Sequence, residues 1–303
     1  MMSAGNFITR QSKLLLENKQ YAILCAVILS IVPFSSWISV ALVSLIALRK
    51  GAKSGFEVML PALVIHSIPL LVLVPLESAL INTLVAYIPC YLAALTLRQT
   101  KSWQMVFGVL LIQAVIAFLA IQLIAPNFVI EQFNQLKQLF THYKEFQQLM
   151  DSSMGGLSSM IWAQLFFGIQ ILSVVVSATI SLMFARSIQA KLFLPGGFKQ
   201  ELSEFRSGKL AFLVLIGILI ASYYEILWAL NLLPLILCYF LISGFNLVYI
   251  VLARKRHVRV FILLFLLILF KPSLMLFAYI IFGSLDSLFN FRLYLPVRAN
   301  ESI

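Results

Sequence analysis

Few side chains in this sequence can do chemistry, and most of those few sit inside long apolar runs. His66, Glu225 and Asp286 lie there, with Lys271 and Glu77 nearer the ends of their runs. An ionisable group near the middle of a bilayer costs roughly 2.5–3.5 kcal/mol, so each needs a partner or a ligand. His66 shares its stretch with Pro61, Pro69 and Pro75. Breaks in the backbone there would free carbonyls for a ligand or for the imidazole itself, although a histidine that merely packs between helices accounts for it too. Glu225 follows Tyr223 and Tyr224 and precedes Trp228, a set that suits a cation-binding pocket or an aromatic belt at the membrane interface. Asp286 can pair with Arg292 or Lys271, and Asp286, Asn290 and Arg292 together also suit a polar helix junction. His66, Glu225, Asp286 and Arg292 are therefore the candidate ligand-binding residues.

The same inventory argues against catalysis. The chain has no HExxH, no Walker A sequence, and two aspartates, Asp151 and Asp286, with no GxGD context. Ser158 and His66 are linked by no recognised nucleophile and base spacing. Cys25, Cys90 and Cys238 all lie in apolar segments without CxxC or Cys/His spacing, so they read as small buried hydrophobes. Neither a metal nor an organic cofactor is called for, and the expectation is a protein that is not an enzyme.

The elements that position these residues are set by composition. Of 303 residues, 62% are hydrophobic and 11% charged, whereas a soluble domain carries roughly 25% charged residues. The net charge of +11 comes from Lys and Arg clustered between apolar runs. These are anchors facing an anionic leaflet, and nucleic acid is the poorer reading. Apolar stretches run over 21–48, 57–76, 78–97, 103–125, 157–185, 209–230, 232–252 and 258–290. They predict an all-α transmembrane bundle of about eight segments forming one membrane domain across 1–303. The run over 21–32 has the length and basic flank of a signal-peptide core, but no A-x-A site follows, and it reads as retained.

Orientation follows from the basic clusters. The N-terminal tail, 49–53, 98–101, 186–209 and 254–259 hold most of the 22 Lys and Arg residues, which predicts a cytoplasmic N-terminus in a bacterial inner membrane. The opposite connections are the turn at Glu77, the segment 126–156, and a turn around Asn231 to Pro234. Residues 21–48 must then cross an even number of times, yet each half rises only about 18 Å against a core of about 30 Å. The segment is a re-entrant hairpin, a thinned pair of spans, or one long kinked helix with an external N-terminus. Lys271-Pro272 divides the last run similarly, so broken or re-entrant segments are expected near both termini. In transporters such segments often build the substrate site.

Two pieces lie outside the apolar runs. In 127–156, Phe133, Leu136, Phe140, Tyr143 and Met150 recur at helical spacing, predicting an extracytoplasmic amphipathic helix that packs on a surface, covers a cavity or pairs with a partner. The cytoplasmic loop 186–209 carries Leu194-Pro195-Gly196-Gly197-Phe198-Lys199-Gln200-Glu201-Leu202, then Phe205-Arg206-Ser207-Gly208-Lys209. Gly196 and Gly197 allow a sharp reversal, Phe198 suits the interface, and Arg206 suits lipid phosphates. Gly196, Gly197, Phe198, Glu201 and Arg206 are the candidates for partner or lipid contact.

That loop resembles the cytoplasmic loop of the YybS-like family of multi-spanning bacterial membrane proteins. Gly283-Ser284-Leu285-Asp286-Ser287-Leu288-Phe289-Asn290-Phe291-Arg292 is similar to the same family's closing motif of a Gly, an Asp and an aromatic residue before an Arg. The resemblance implies an inner-membrane protein of this size and no settled activity. A more distant similarity, to the substrate-binding subunits of energy-coupling vitamin transporters, is one of fold. Two functions follow as expectations. One is a transport-related or solute-binding membrane subunit with His66, Glu225 and Asp286 lining a cavity for a small molecule. The other is a non-catalytic scaffold or assembly factor that binds another membrane or cytoplasmic subunit through 186–209.

Overall fold

A computed structural model describes residues 4–32, 34–73, 76–124, 127–140, 158–252 and 257–294. Among them are thirteen α-helices, one 3-10 turn and no strand. They are α1 (Ala4–Glu17), α2 (Lys19–Ile31), α3 (Ser36–Lys50), α4 (Ala52–Leu73), α5 (Leu76–Thr100), α6 (Trp103–Ile124), α7 (Phe128–Phe140), α8 (Ser159–Phe193), α9 (Gly197–Glu204), α10 (Lys209–Tyr223), α11 (Leu227–Leu252), α12 (His257–Phe270) and α13 (Pro272–Phe289), with Phe291–Tyr294 as the 3-10 turn. Six of these, α4, α5, α6, α8, α11 and α13, are long and apolar enough to cross a membrane, and up to eight spans result if the bent pairs α1–α2 and α9–α10 each count. In those six, only 17–39% of each apolar window is buried inside the protein. The remainder faces outward, so hydrocarbon is the solvent that explains it. The all-α membrane architecture read from the sequence is the one observed.

The chain forms two compact units, Met1–Gln113 with Ser173–Leu202, and Ala114–Leu172 with Ser203–Ile303. In the first, the break expected near Pro33 is present: α2 ends at Ile31 and α3 begins at Ser36. Ser39 Oγ donates to Ala26 O at 2.7 Å. Residues 13 apart in one continuous helix would lie about 20 Å from each other, so α2 and α3 fold back as a hairpin and a single long kinked helix is excluded. Ser35 Oγ closes the corner on Leu29 O at 2.7 Å. Small side chains permit the close approach, with Ala22, Ala26, Ser39 and Ala47 almost fully covered. The α1–α2 pair bends by 119° at Asn18, whose side chain accepts from the Gln20 and Tyr21 amides and so caps α2.

The second unit is built on α11 and α13. A Cβ on Gly244 would overlap the Tyr279 carbonyl, and one on Gly283 the Phe240 carbonyl. The two helices therefore meet backbone to backbone, as small residues allow in lipid. Tyr279 Oη donates to Leu264 O at 3.4 Å, which makes α12 and α13 a second short hairpin about Lys271-Pro272.

Three boundaries differ from the sequence reading. The turn expected around Asn231 to Pro234 lies instead at Tyr224–Ile226, where Glu225 takes a positive φ of 56°. Pro234 is inside α11, and Asn231 Nδ2 bonds Leu227 O at 2.9 Å within that helix. Proline in an apolar run removes one N–H without ending the helix when neighbouring helices hold it. The stretch 186–209 begins as the last turns of α8, a helix of 35 residues whose length of about 52 Å exceeds the bilayer core. Pro61 and Pro69 likewise lie within a continuous α4, so no broken backbone surrounds His66. Of the amphipathic segment, Phe128–Phe140 is helical as expected, and 141–157 lie outside the described residues. Val129 and Phe133 pack against Phe118, Ala163 and Phe167, so α6 and α8 cover its apolar side.

Candidate functional site

In the second unit, Asp286, Asn290 and Arg292, which the sequence groups as a polar helix junction, lie together. Asn290, at φ 47°, caps α13 in the left-handed conformation and its amide donates to Asp286 O at 3.0 Å. This reversal carries Arg292 back along α13, where its Nε donates to Asp286 Oδ2 at 3.0 Å and its Nη1 to Ser203 O at 2.7 Å. Asp286 is fully buried and Arg292 nearly so. Burial pulls the Arg292 guanidinium below its ordinary range, the Asp286 charge and hydrogen bond push it back up, and the charge of Arg206 adds to the lowering. Arg206 is thus within electrostatic reach of the pair. In the same unit, the Ser207 amide donates to Ser243 Oγ at 3.0 Å and Ser207 Oγ donates to Gly283 O at 3.1 Å. Phe205 stacks edge-on against Tyr239 at 5.7 Å, and its carbonyl accepts from Asn246 Nδ2 at 2.8 Å.

Lys271, the alternative partner of Asp286, is exposed at the start of α13. Glu225 is exposed in the α10–α11 turn among exposed Tyr223, Tyr224 and Trp228, so these side chains do not enclose it. Elsewhere in this unit, Asn231 Nδ2 donates to Gln164 Oε1 at 2.6 Å, with both residues buried. A Cβ on Gly168 would sit 2.5 Å from Asn231 O, so this too is a close helix crossing. Charge is what stands out in an apolar run of sequence, and an amide carries none, so nothing in the sequence marks that pair.

In the first unit, His66 Nδ1 lies 3.0 Å from Ser30 O of α2. Its ring meets Tyr87 edge-on at 5.7 Å, and Tyr87 Oη donates to Ser39 Oγ at 3.0 Å. This polar strip ties α4 and α5 onto the α2–α3 hairpin, using a backbone carbonyl of α2 in place of one freed by proline in α4. Glu201 is likewise committed inward. It accepts two hydrogen bonds from Arg186 and one from Trp103 Nε1 at 3.4 Å, and Phe198 packs edge-on against Trp103 at 6.3 Å. Gly196 takes φ +88° with open space around it, and Gly197 starts α9.

The first unit also holds a half-open pocket of about 320 Å³ in the elbow of α1 and α2 against α3 and α8. Leu29, Leu42, Leu45 and Phe184 form its apolar body. Its polar end is Gln11 and Tyr21, joined by a Tyr21 Oη to Gln11 Oε1 hydrogen bond of 2.8 Å. His66 does not line it. Its volume is at the small end of the range that small-molecule sites span. Nothing in the sequence marked it, because Gln11 and Tyr21 are common residues whose meeting depends on the bend at Asn18. Among the described residues, no three His, Cys, Asp or Glu side chains gather as metal ligands would. Compared with family models, with curated proteins and with solved structures, the chain matches none.

Proposed function

We propose that this chain is a non-catalytic, solute-binding subunit of a transport system in a bacterial inner membrane, with its N-terminus in the cytoplasm. The observation that carries the reading is the α1–α2 elbow pocket, a half-open apolar pocket with the hydrogen-bonded Gln11–Tyr21 pair in its lining. Its chemistry suits an amphiphile with an apolar body and one hydrogen-bonding end. The abundance of Lys and Arg at 49–53, 186–209 and 254–259 supports the orientation. The loop and closing motifs support membership of the YybS-like family as part of the same proposal.

The test is purification of the full chain in mild detergent, with mass spectrometry of what accompanies it. An amphiphile that copurifies with wild type and with an E225Q control, and is lost in Leu29→Trp, which fills the cavity, supports the proposal. A stoichiometric protein partner with no small molecule overturns it in favour of a scaffold. That alternative must use the exposed Leu194 and Lys199 side of the loop, since Phe198 and Glu201 already serve internal contacts.

A further inference from the structure

We infer that the elbow pocket takes an uncharged, single-chain amphiphile that presents a carbonyl or ether oxygen, and that Gln11 and Ser12 of α1 recognise this oxygen. The inference rests on the solute-binding reading of that pocket and names its substrate class. Charge is the first argument. The lining contains no Lys, Arg, His, Asp or Glu. Arg10, Lys13 and Glu17 of α1 are exposed and do not line it. Lys19 is paired with Glu57 at 2.8 Å. Arg186, which lies between the lining residues Phe184 and Ile188 on α8, donates to Glu201 and Gln189. An ionised ligand in this apolar pocket would give up hydration with no counter-charge to replace it.

Hydrogen bonding is the second argument. Tyr21 Oη donates to Gln11 Oε1, which engages the acceptor of that amide and leaves its Nε2 donors. Ser12 lines the same pocket and is only 4% exposed. Among the described residues, neither Gln11 Nε2 nor Ser12 Oγ has a hydrogen-bond partner. A donor withdrawn from water without a partner is costly, and a ligand oxygen that only accepts meets both groups. A plain hydrocarbon meets neither. The apolar chain of the ligand lies on Leu29, Leu42, Leu45 and Phe184. A volume of about 320 Å³ stands near the lower limit of the roughly 300–1,000 Å³ of small-molecule sites, which suits one chain and not the two of a bilayer phospholipid.

The full-length protein is placed in phosphatidylcholine nanodiscs with decane, 2-decanone, decyl sulfate or decyltrimethylammonium at equal mole fraction. Alkylation of Cys25 by N-ethylmaleimide is then followed by peptide mass spectrometry. Cys25 is a free thiol in the pocket lining, so an occupant shields it. The ketone is expected to slow the reaction several-fold beyond decane, while the two charged probes slow it no more than decane does. Ser12→Ala and Gln11→Leu are each expected to remove most of the ketone's advantage and to leave the effect of decane unchanged, which a loss of fold would not do. Should either variant fail to fold, the comparison of probes on wild type decides. Equal protection by decane and the ketone, protection by a charged probe as strong as the ketone's, or an advantage that survives both substitutions overturns the inference and leaves the pocket as a binding site. Protection by no probe overturns it too. If an amphiphile nevertheless copurifies and is lost in Leu29→Trp, the solute-binding reading survives, and if none copurifies both fall.

Discussion

Arg292 folds back over the end of α13 and places its Nε 3.0 Å from Asp286 Oδ2, although six residues and a helix cap separate the two in sequence. Removing one member of such a buried pair strands the other's charge, whereas removing both leaves apolar surface that lipid or helix can cover. Asp286→Ala and Arg292→Ala are each expected to cost about 3–5 kcal/mol, read as a large fall in Tm in detergent. The Asp286→Leu and Arg292→Leu double variant is expected to melt above either single one. Equal or additive losses in the double variant would show that the pair is not coupled.

Gly244 and Gly283 set the distance between α11 and α13, since a methyl on either would overlap the facing backbone. Gly244→Ala and Gly283→Ala should each lower stability by more than the 1–3 kcal/mol typical of overpacking, because backbone cannot yield as a side chain does. Gly108 and Gly217 have nothing within 4 Å of an added Cβ. Alanine there is expected to be neutral or to stabilise by up to about 1 kcal/mol through helix propensity. Melting curves of the four variants in one detergent test the contrast.

These contacts show where sequence reading succeeds. The apolar runs fixed the helices, because 20-residue stretches have no other stable state in lipid. Pro33 and Lys271-Pro272 marked real breaks. Pro61, Pro69, Pro89 and Pro234 did not, since proline alone does not say whether neighbouring helices hold the chain straight. Asp286 with Arg292 was legible because charge in an apolar run demands a partner. That the Arg206 charge acts on Arg292 was not, because it depends on how the connection before α10 meets the end of α13. The elbow cavity was equally hidden, since it is a property of the angle between α1 and α2 and not of any motif.

Glu201 accepts from both Arg186 and Trp103 within the first unit, so it anchors the segment after the Pro195-Gly196 turn. Glu201→Ala leaves the Arg186 charge without its partner and is expected to release that segment while the spans stay folded. Limited proteolysis near Leu194–Gly197 should quicken several-fold, with Tm falling by no more than a few degrees. Unchanged cleavage would mean that Phe198 against Trp103 is sufficient to hold the segment.

The proposed orientation places Lys199 and Tyr224 on opposite sides, with α10 running between them. At 15 residues this helix rises only about 22 Å, less than a bilayer core of about 30 Å, so it makes a span only together with α9, from which it bends by 51°. Both residues are exposed. With Cys25, Cys90 and Cys238 replaced by serine, Tyr224→Cys should react with an impermeant maleimide in intact cells. Lys199→Cys should react only after the inner face is opened. The reverse pattern would overturn the cytoplasmic placement of 186–209. Labelling of both residues from one side would mean that α9 and α10 form a re-entrant pair. That outcome would take one of the eight spans away, because α10 then returns to the face it left.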